Sequence, residues 1–118
     1  MKEVNFKNLN YTVLGANNKI VGDLEMQGDT IIHSQIEGTI TIKDTSNLII
    51  ERKAKIDGTI YCHDVEVFGK VFGNIYAEGK LTIRSSAEVS GVIKAKKLSI
   101  YPGAILNMEA HAENEESK

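Results

Sequence analysis

Aliphatic residues return at alternate positions through most of this chain, with polar residues between them. The stretch Ala87-Glu88-Val89-Ser90-Gly91-Val92-Ile93-Lys94-Ala95 sets the pattern, and Ala54-Lys55-Ile56-Asp57-Gly58-Thr59-Ile60-Tyr61-Cys62 repeats it. Shorter versions are Ile36-Glu37-Gly38-Thr39-Ile40-Thr41-Ile42 and Val71-Phe72-Gly73-Asn74-Ile75-Tyr76-Ala77. A period of two predicts β-strands with one buried face. Recurrence of the whole unit predicts a repeat architecture. Counted from Gly22, the equivalent glycines are Gly38, Gly58, Gly73 and Gly91, and Met108 takes the next slot, at intervals of 16, 20, 15, 18 and 17.

Between the glycines lies a second motif, Leu48-Ile49-Ile50, Val65-Glu66-Val67, Leu81-Thr82-Ile83 and Leu98-Ser99-Ile100. A third inward column holds Met26, Ile42, Cys62, Ala77 and Ala95. About three short strands per repeat, each stacked on its equivalent roughly 4.8 Å away, describe an all-β parallel β-helix of about six turns. The long interval carries the polar insertion Asp44-Thr45-Ser46-Asn47, and the short one loses residues at Phe68-Gly69-Lys70. Length varies at the corners while the strands keep register, as solenoids allow. Since glycine weakens a strand, the glycine column implies restricted space, with a Cβ expected to collide with the residue opposite. Residues 1–12 read as an N-terminal tail, 13–109 as the solenoid and 110–118 as an acidic C-terminal tail, because the alternation fades after Glu109.

Composition narrows the function. With 118 residues there is room for one domain. A formal net charge of −2 gives no long-range attraction for nucleic acid, and the local groups Lys94, Lys96, Lys97 and Arg52, Lys53, Lys55 lack interleaved aromatics. The single cysteine, Cys62, excludes an internal disulfide and falls at inward parity. No apolar run approaches a membrane span and the N-terminus has no signal-peptide core, so a cytoplasmic protein is expected.

Catalytic and cofactor signals are weak. Gly73-Asn74-Ile75-Tyr76-Ala77-Glu78-Gly79-Lys80-Leu81 has five residues between its glycines and Leu81 after the lysine. A phosphate loop needs four, then Ser or Thr. His33, His63 and His111 lack companions at metal-ligand spacing, and Glu37, Asp57, Glu66 and Glu88 fall at outward positions. No cofactor, metal or enzymatic activity is expected. A left-handed hexapeptide acyltransferase is disfavoured by intervals that break strict hexads and by the glycine column.

Taken together, Val13-Leu14-Gly15, Ile20-x-Gly22-x-Leu24, the repeated [Ile/Val]-x-Gly-x-Ile-x-Ala and Leu-x-Ile units, and the closing Pro102-Gly103-Ala104 resemble the bactofilins over about residues 12–108. The resemblance implies a right-handed, three-sided β-helix that polymerises end to end without nucleotide or metal, in filaments without overall polarity where like ends meet. It also implies a tail that attaches to the inner membrane or a partner. Val4-Asn5-Phe6-Lys7 only faintly echoes that membrane segment, and Met108 departs from the repeat glycine.

An open solenoid exposes unpaired strand edges and the cross-section of its core at each end. No capping helix is evident, so stacking of further copies is expected through Ile20, Leu24 and Met26 in the first turn and Leu98, Ile100, Leu106 and Met108 in the last. The partner is then the chain itself, with envelope or cell-wall proteins as further partners of a scaffold. Outward aromatics offer a lateral contact: Tyr61 and Tyr76 as a two-rung stack, with Phe68 and Phe72 nearby. A β-solenoid module gripping a partner protein or glycan through those aromatics is the alternative.

Overall fold

The structure is a computed structural model that describes residues 11–117, and every regular element in that span is a strand. In chain order these are β1 (Tyr11–Leu14), β2 (Lys19–Met26), β3 (Asp29–Ile32), β4 (Gln35–Ile42), β5 (Asn47–Ile50), β6 (Lys55–Cys62), β7 (Asp64–Val67), β8 (Lys70–Ile83), β9 (Glu88–Ile100) and β10 (Ile105–Ser117). All pairings are parallel and belong to one sheet that winds upon itself. The coils stack as a β-solenoid of about six turns.

Stacking aligns like with like. One inward column runs Ile20, Ile36, Ile56, Val71, Val89, Leu106, and a second runs Leu24, Ile40, Ile60, Ile75, Ile93, Ala110. On the third face Thr30, Leu48, Val65, Leu81 and Leu98 align, beside Ile32, Ile50, Val67, Ile83 and Ile100. Their interior members form one continuous aliphatic core in which most side chains are fully buried. Each such side chain contributes roughly 1.5–3 kcal/mol by leaving water. The parallel register supplies the backbone hydrogen bonds that this burial requires.

The glycine column has a different cause from the one the sequence suggests. Gly38, Gly58, Gly73 and Gly91 have φ between 122° and 152°, a region nearly closed to other residues. A Cβ on Gly58 would lie 1.8 Å from the carbonyl oxygen of Gly38, and Gly38, Gly73 and Gly91 repeat the relation to within 0.1 Å. The obstacle is therefore the backbone one coil below, not a side chain across the interior. The hydrogen in place of that Cβ points at the oxygen, the arrangement of a weak Cα–H···O contact. Gly22, in the first complete coil, shares the backbone twist at φ 135° but has none of the described residues within 4 Å of its Cβ position.

Corners absorb the length differences as expected. Phe68 and Gly69 alone separate β7 from β8, while four residues, Arg84 to Ala87, separate β8 from β9. At the other corner, acidic side chains tie adjacent coils: Asp29 Oδ1 accepts the Asn47 N–H at 2.9 Å, Asp64 Oδ1 accepts that of Lys80 at 2.7 Å, and Asp44 Oδ2 accepts that of Gly28 at 2.9 Å. Hydrogen bonding to Ser46 first, then Gly28, holds the Asp44 carboxyl below its ordinary value.

The boundaries differ from the expected ones. Tyr11 and Thr12 already belong to β1, paired with Asp29 and Thr30, and residues 1–10 lie outside the described span. The span 110–118, expected as an acidic tail, is instead strand as far as Ser117, in register with Ile100. Alternation continues there with Ala110 and Ala112 over Ile93 and Ala95. Small and polar residues hide a strand that, among the described residues, pairs only with β9.

Two outcomes test this packing. Gly58→Ala adds a backbone collision to the φ penalty and costs more than about 3 kcal/mol, whereas Gly22→Ala incurs only the φ penalty of about 1–3 kcal/mol. Urea denaturation of the two variants measures the difference. Burial first, then the Asp64 and Asp44 charges, push the Cys62 thiol up to about 12 from an ordinary 9.0. The folded protein at pH 8 therefore resists a thiol-reactive dye that labels the urea-unfolded chain. Because the fold favours the neutral thiol, this residue's contribution is complete below about pH 9 and declines as pH rises from there towards 12.

Candidate functional site

The rod ends are built by the first and last coils. Among the described residues, β2 pairs only with β4 and β10 only with β9, so each end presents an unpaired strand edge. At the first end Ile20, Leu24 and Met26 are half-buried and pack on the core from one side. Here β1 covers the third face, its Leu14 lying over Ile32.

At the other end Ile105 is 64% exposed and Leu106 36%, with Met108 half-buried. Leu106 continues an aliphatic column over Val89, as its parity required, and Met108 stands over Gly91. Met108 does not share the positive φ of the glycines beneath it, so the last coil departs from the regular corner. Two expected end residues sit deeper. Leu98 is fully buried, with residue 115 of β10 aligned over it, and Ile100 is half-buried beneath residue 117. The reading placed them at the end because it stopped the last strand too early.

The four outward aromatics do not form one patch. Tyr61 and Tyr76 stack with ring centroids 5.1 Å apart and planes 14° from parallel. Phe72 lies on another edge, in register with Asp57 and Ser90, beneath the Lys55 ammonium at 5.6 Å. Phe68 belongs to the corner after the third face. There the Arg84 guanidinium is sandwiched between Phe68, at 5.6 Å, and Tyr101, at 4.4 Å, while Nε donates to Glu66 Oε2 at 2.8 Å. That ladder was not read from the sequence, although Phe68, Arg84 and Tyr101 each follow the last residue of the Leu-x-Ile motif.

Sequence reasoning also missed a lateral groove of about 700 Å³ beside the Tyr stack. One wall is the register column Tyr61, Tyr76, Lys94, His111, and the other carries Glu78, Lys96 and Glu113. Ala77, Ala95 and Ala112 line the floor. In the earlier coils the same column holds Met26, Ile42 and Cys62, and a turn follows each. In β8, β9 and β10 the strand runs through without a turn, and the small alanines let it bend into a trough. The alanine column was the available signal.

Titratable groups are dispersed. His33 and His63 occupy corners of different coils, and His63 Nδ1 lies 3.3 Å from Asp64 Oδ1. Among the described residues no three His, Cys, Asp or Glu gather where a metal ion would be held, and no helix is long and apolar enough to cross a membrane. The segment Val4-Asn5-Phe6-Lys7, the faint echo of a membrane segment, lies outside the described residues.

Comparison with known proteins agrees with this architecture. The chain is 32% identical to bactofilin BacO of Myxococcus xanthus over 93 residues, covering 79% of this chain and 72% of the relative. It is 29% identical to bactofilin BacP of the same organism over 97 residues, covering 82% of this chain but 40% of the relative. No solved structure matches. A family profile described as polymer-forming cytoskeletal matches residues 12–111, and the chain belongs to that family, the bactofilins.

Proposed function

We propose that the protein polymerises end to end through its open coils, without nucleotide or metal, and serves in the cytoplasm as a scaffold for envelope-associated partners. The carrying observation is the pair of unpaired strand edges at the two ends, each with aliphatic side chains covered on one side only. An exposed strand edge of this kind is a template for pairing. Stacking a second copy satisfies the backbone donors and acceptors and buries Ile20, Leu24 and Met26 at one end or Leu106 and Met108 at the other. At roughly 1.5–3 kcal/mol per fully buried aliphatic side chain, three such residues give a gross gain comparable to the lower estimates of the association cost. A hydrocarbon and backbone junction of this type needs no bound phosphate.

Leu106→Lys and Met108→Lys are expected to abolish sedimentable filaments while leaving the circular dichroism spectrum intact, since each junction would have to bury an unpaired charge at several kcal/mol. Leu98→Ala is the contrasting variant: it removes a fully buried side chain and lowers stability by about 2–5 kcal/mol, without altering the exposed end. Filaments that persist in both lysine variants would place the junction elsewhere.

Assembly is also expected to be indifferent to ATP, GTP and EDTA. Sedimentation of the purified protein with and without each reads this directly, and a requirement for any nucleotide or divalent ion would overturn the mechanism.

A further inference from the structure

We propose that the lateral groove is a docking site for an extended segment of a partner protein that carries an aromatic residue followed by acidic ones. The groove runs along the rod axis across the coils of β8, β9 and β10, with the Tyr61–Tyr76 stack at one end. Three coils at about 4.8 Å each accommodate about three to four residues of extended chain at roughly 3.3 Å per residue. The walls are outward side chains and the floor is strand backbone with alanines, so a peptide enters without displacing any core side chain.

Charge and ring placement select the occupant. Tyr61 is 46% exposed and its stacking partner half-buried, which leaves ring surface for an incoming aromatic side chain. One coil beyond Tyr76 stands Lys94, with Lys96 on the opposite wall. Both are exposed, and no ion pair ties either to a carboxylate among the described residues. They are placed to receive carboxylates that follow the docked ring. Glu78 and Glu113 flank Lys96 on its wall, so a continuous polyanion such as nucleic acid meets repulsion there. A short peptide with carboxylates only at the level of the two lysines does not.

The proposal draws on the scaffold reading in one respect: a filament repeats the groove once per subunit, so a multivalent partner gains effective concentration along it.

Fluorescence anisotropy on the full chain tests the site with three fluorescein-labelled hexapeptides: one with Phe and two Asp separated by Ser, one with both Asp replaced by Lys, and one with Phe replaced by Ala. The first is expected to bind at least about tenfold more tightly than either of the others. Lys94→Glu and Tyr76→Ala are each expected to weaken it about tenfold, with circular dichroism and sedimentation unchanged. No saturable binding of the first peptide below about 1 mM, equal binding of its Lys counterpart, or unchanged affinity in both variants overturns the proposal. Loss of sedimentable polymer in the groove variants overturns it too, by making the groove a contact between copies. Sedimentation of the wild-type protein without peptide reads the scaffold proposal alone, and anisotropy reads the groove whether or not filaments form.

Discussion

Close approach of backbone to backbone at one corner governs this fold. Gly38, Gly58, Gly73 and Gly91 each sit so near the coil below that a Cβ would overlap the preceding glycine's carbonyl oxygen. That contact fixes where these four coils bend, and the residues on either side of it then fall into register without adjustment. Ile36, Ile56 and Val71 stack before the bend, and Ile40, Ile60 and Ile75 after it. Because the bend is fixed in backbone rather than side chains, the interior columns can mix Ile, Val and Leu while the strands stay aligned. At the remaining corners the contact recurs only in part, as at Gly69, where a Cβ would lie 2.2 Å from the Glu51 carbonyl oxygen, and there the connections vary from the single residue His63 to four residues.

The same constraint makes the two ends chemically different. At Gly22 no described residue fills the space below the bend, so among the described residues the first end carries the bend without the carbonyl found elsewhere. At Met108 the bend itself is missing, since the residue avoids positive φ and projects a thioether where the interior has only hydrogen. Methionine is pliable enough to fit an irregular partner surface. At the first end β1 covers the third face, and at the other end the inward positions of β10 pass from Leu106 and Met108 to the small Ala110 and Ala112.

Much of this was legible in the sequence because a parallel solenoid maps periodicity directly onto space. Alternation gave the inward set, the glycine spacing gave the coil, and Tyr61 and Tyr76, at equivalent positions, had to stack. What the sequence hid has physical causes. The clash that requires glycine is with backbone, which carries no residue identity to read. The last strand ran on past Glu109 because a terminal coil has no need of large inward residues, so hydrophobicity ceased to report on it. Leu98 was misplaced for the same reason. Phe68 and Phe72, close in sequence, are separated because a corner lies between them, and only the corner's geometry shows that Arg84, not another aromatic, is the neighbour of Phe68.

Division of labour between the inward and outward columns explains how one rod would hold the proposed end junction and the proposed lateral site without conflict. Inward residues answer to stacking along the axis, so substitutions there propagate to the neighbouring coils. Outward residues answer mostly to solvent, and a column such as Thr41, Tyr61, Tyr76, Lys94, His111 changes character from coil to coil at no cost to the core. The alanine column is where the two sets meet. Replacing Met26, Ile42 and Cys62 with Ala77, Ala95 and Ala112 thins the interior at one corner, and the outer surface sinks there into the groove. A change of inward residue size has thus shaped the outside of the rod, in the half of the molecule where the strands run unbroken from the second face to the third.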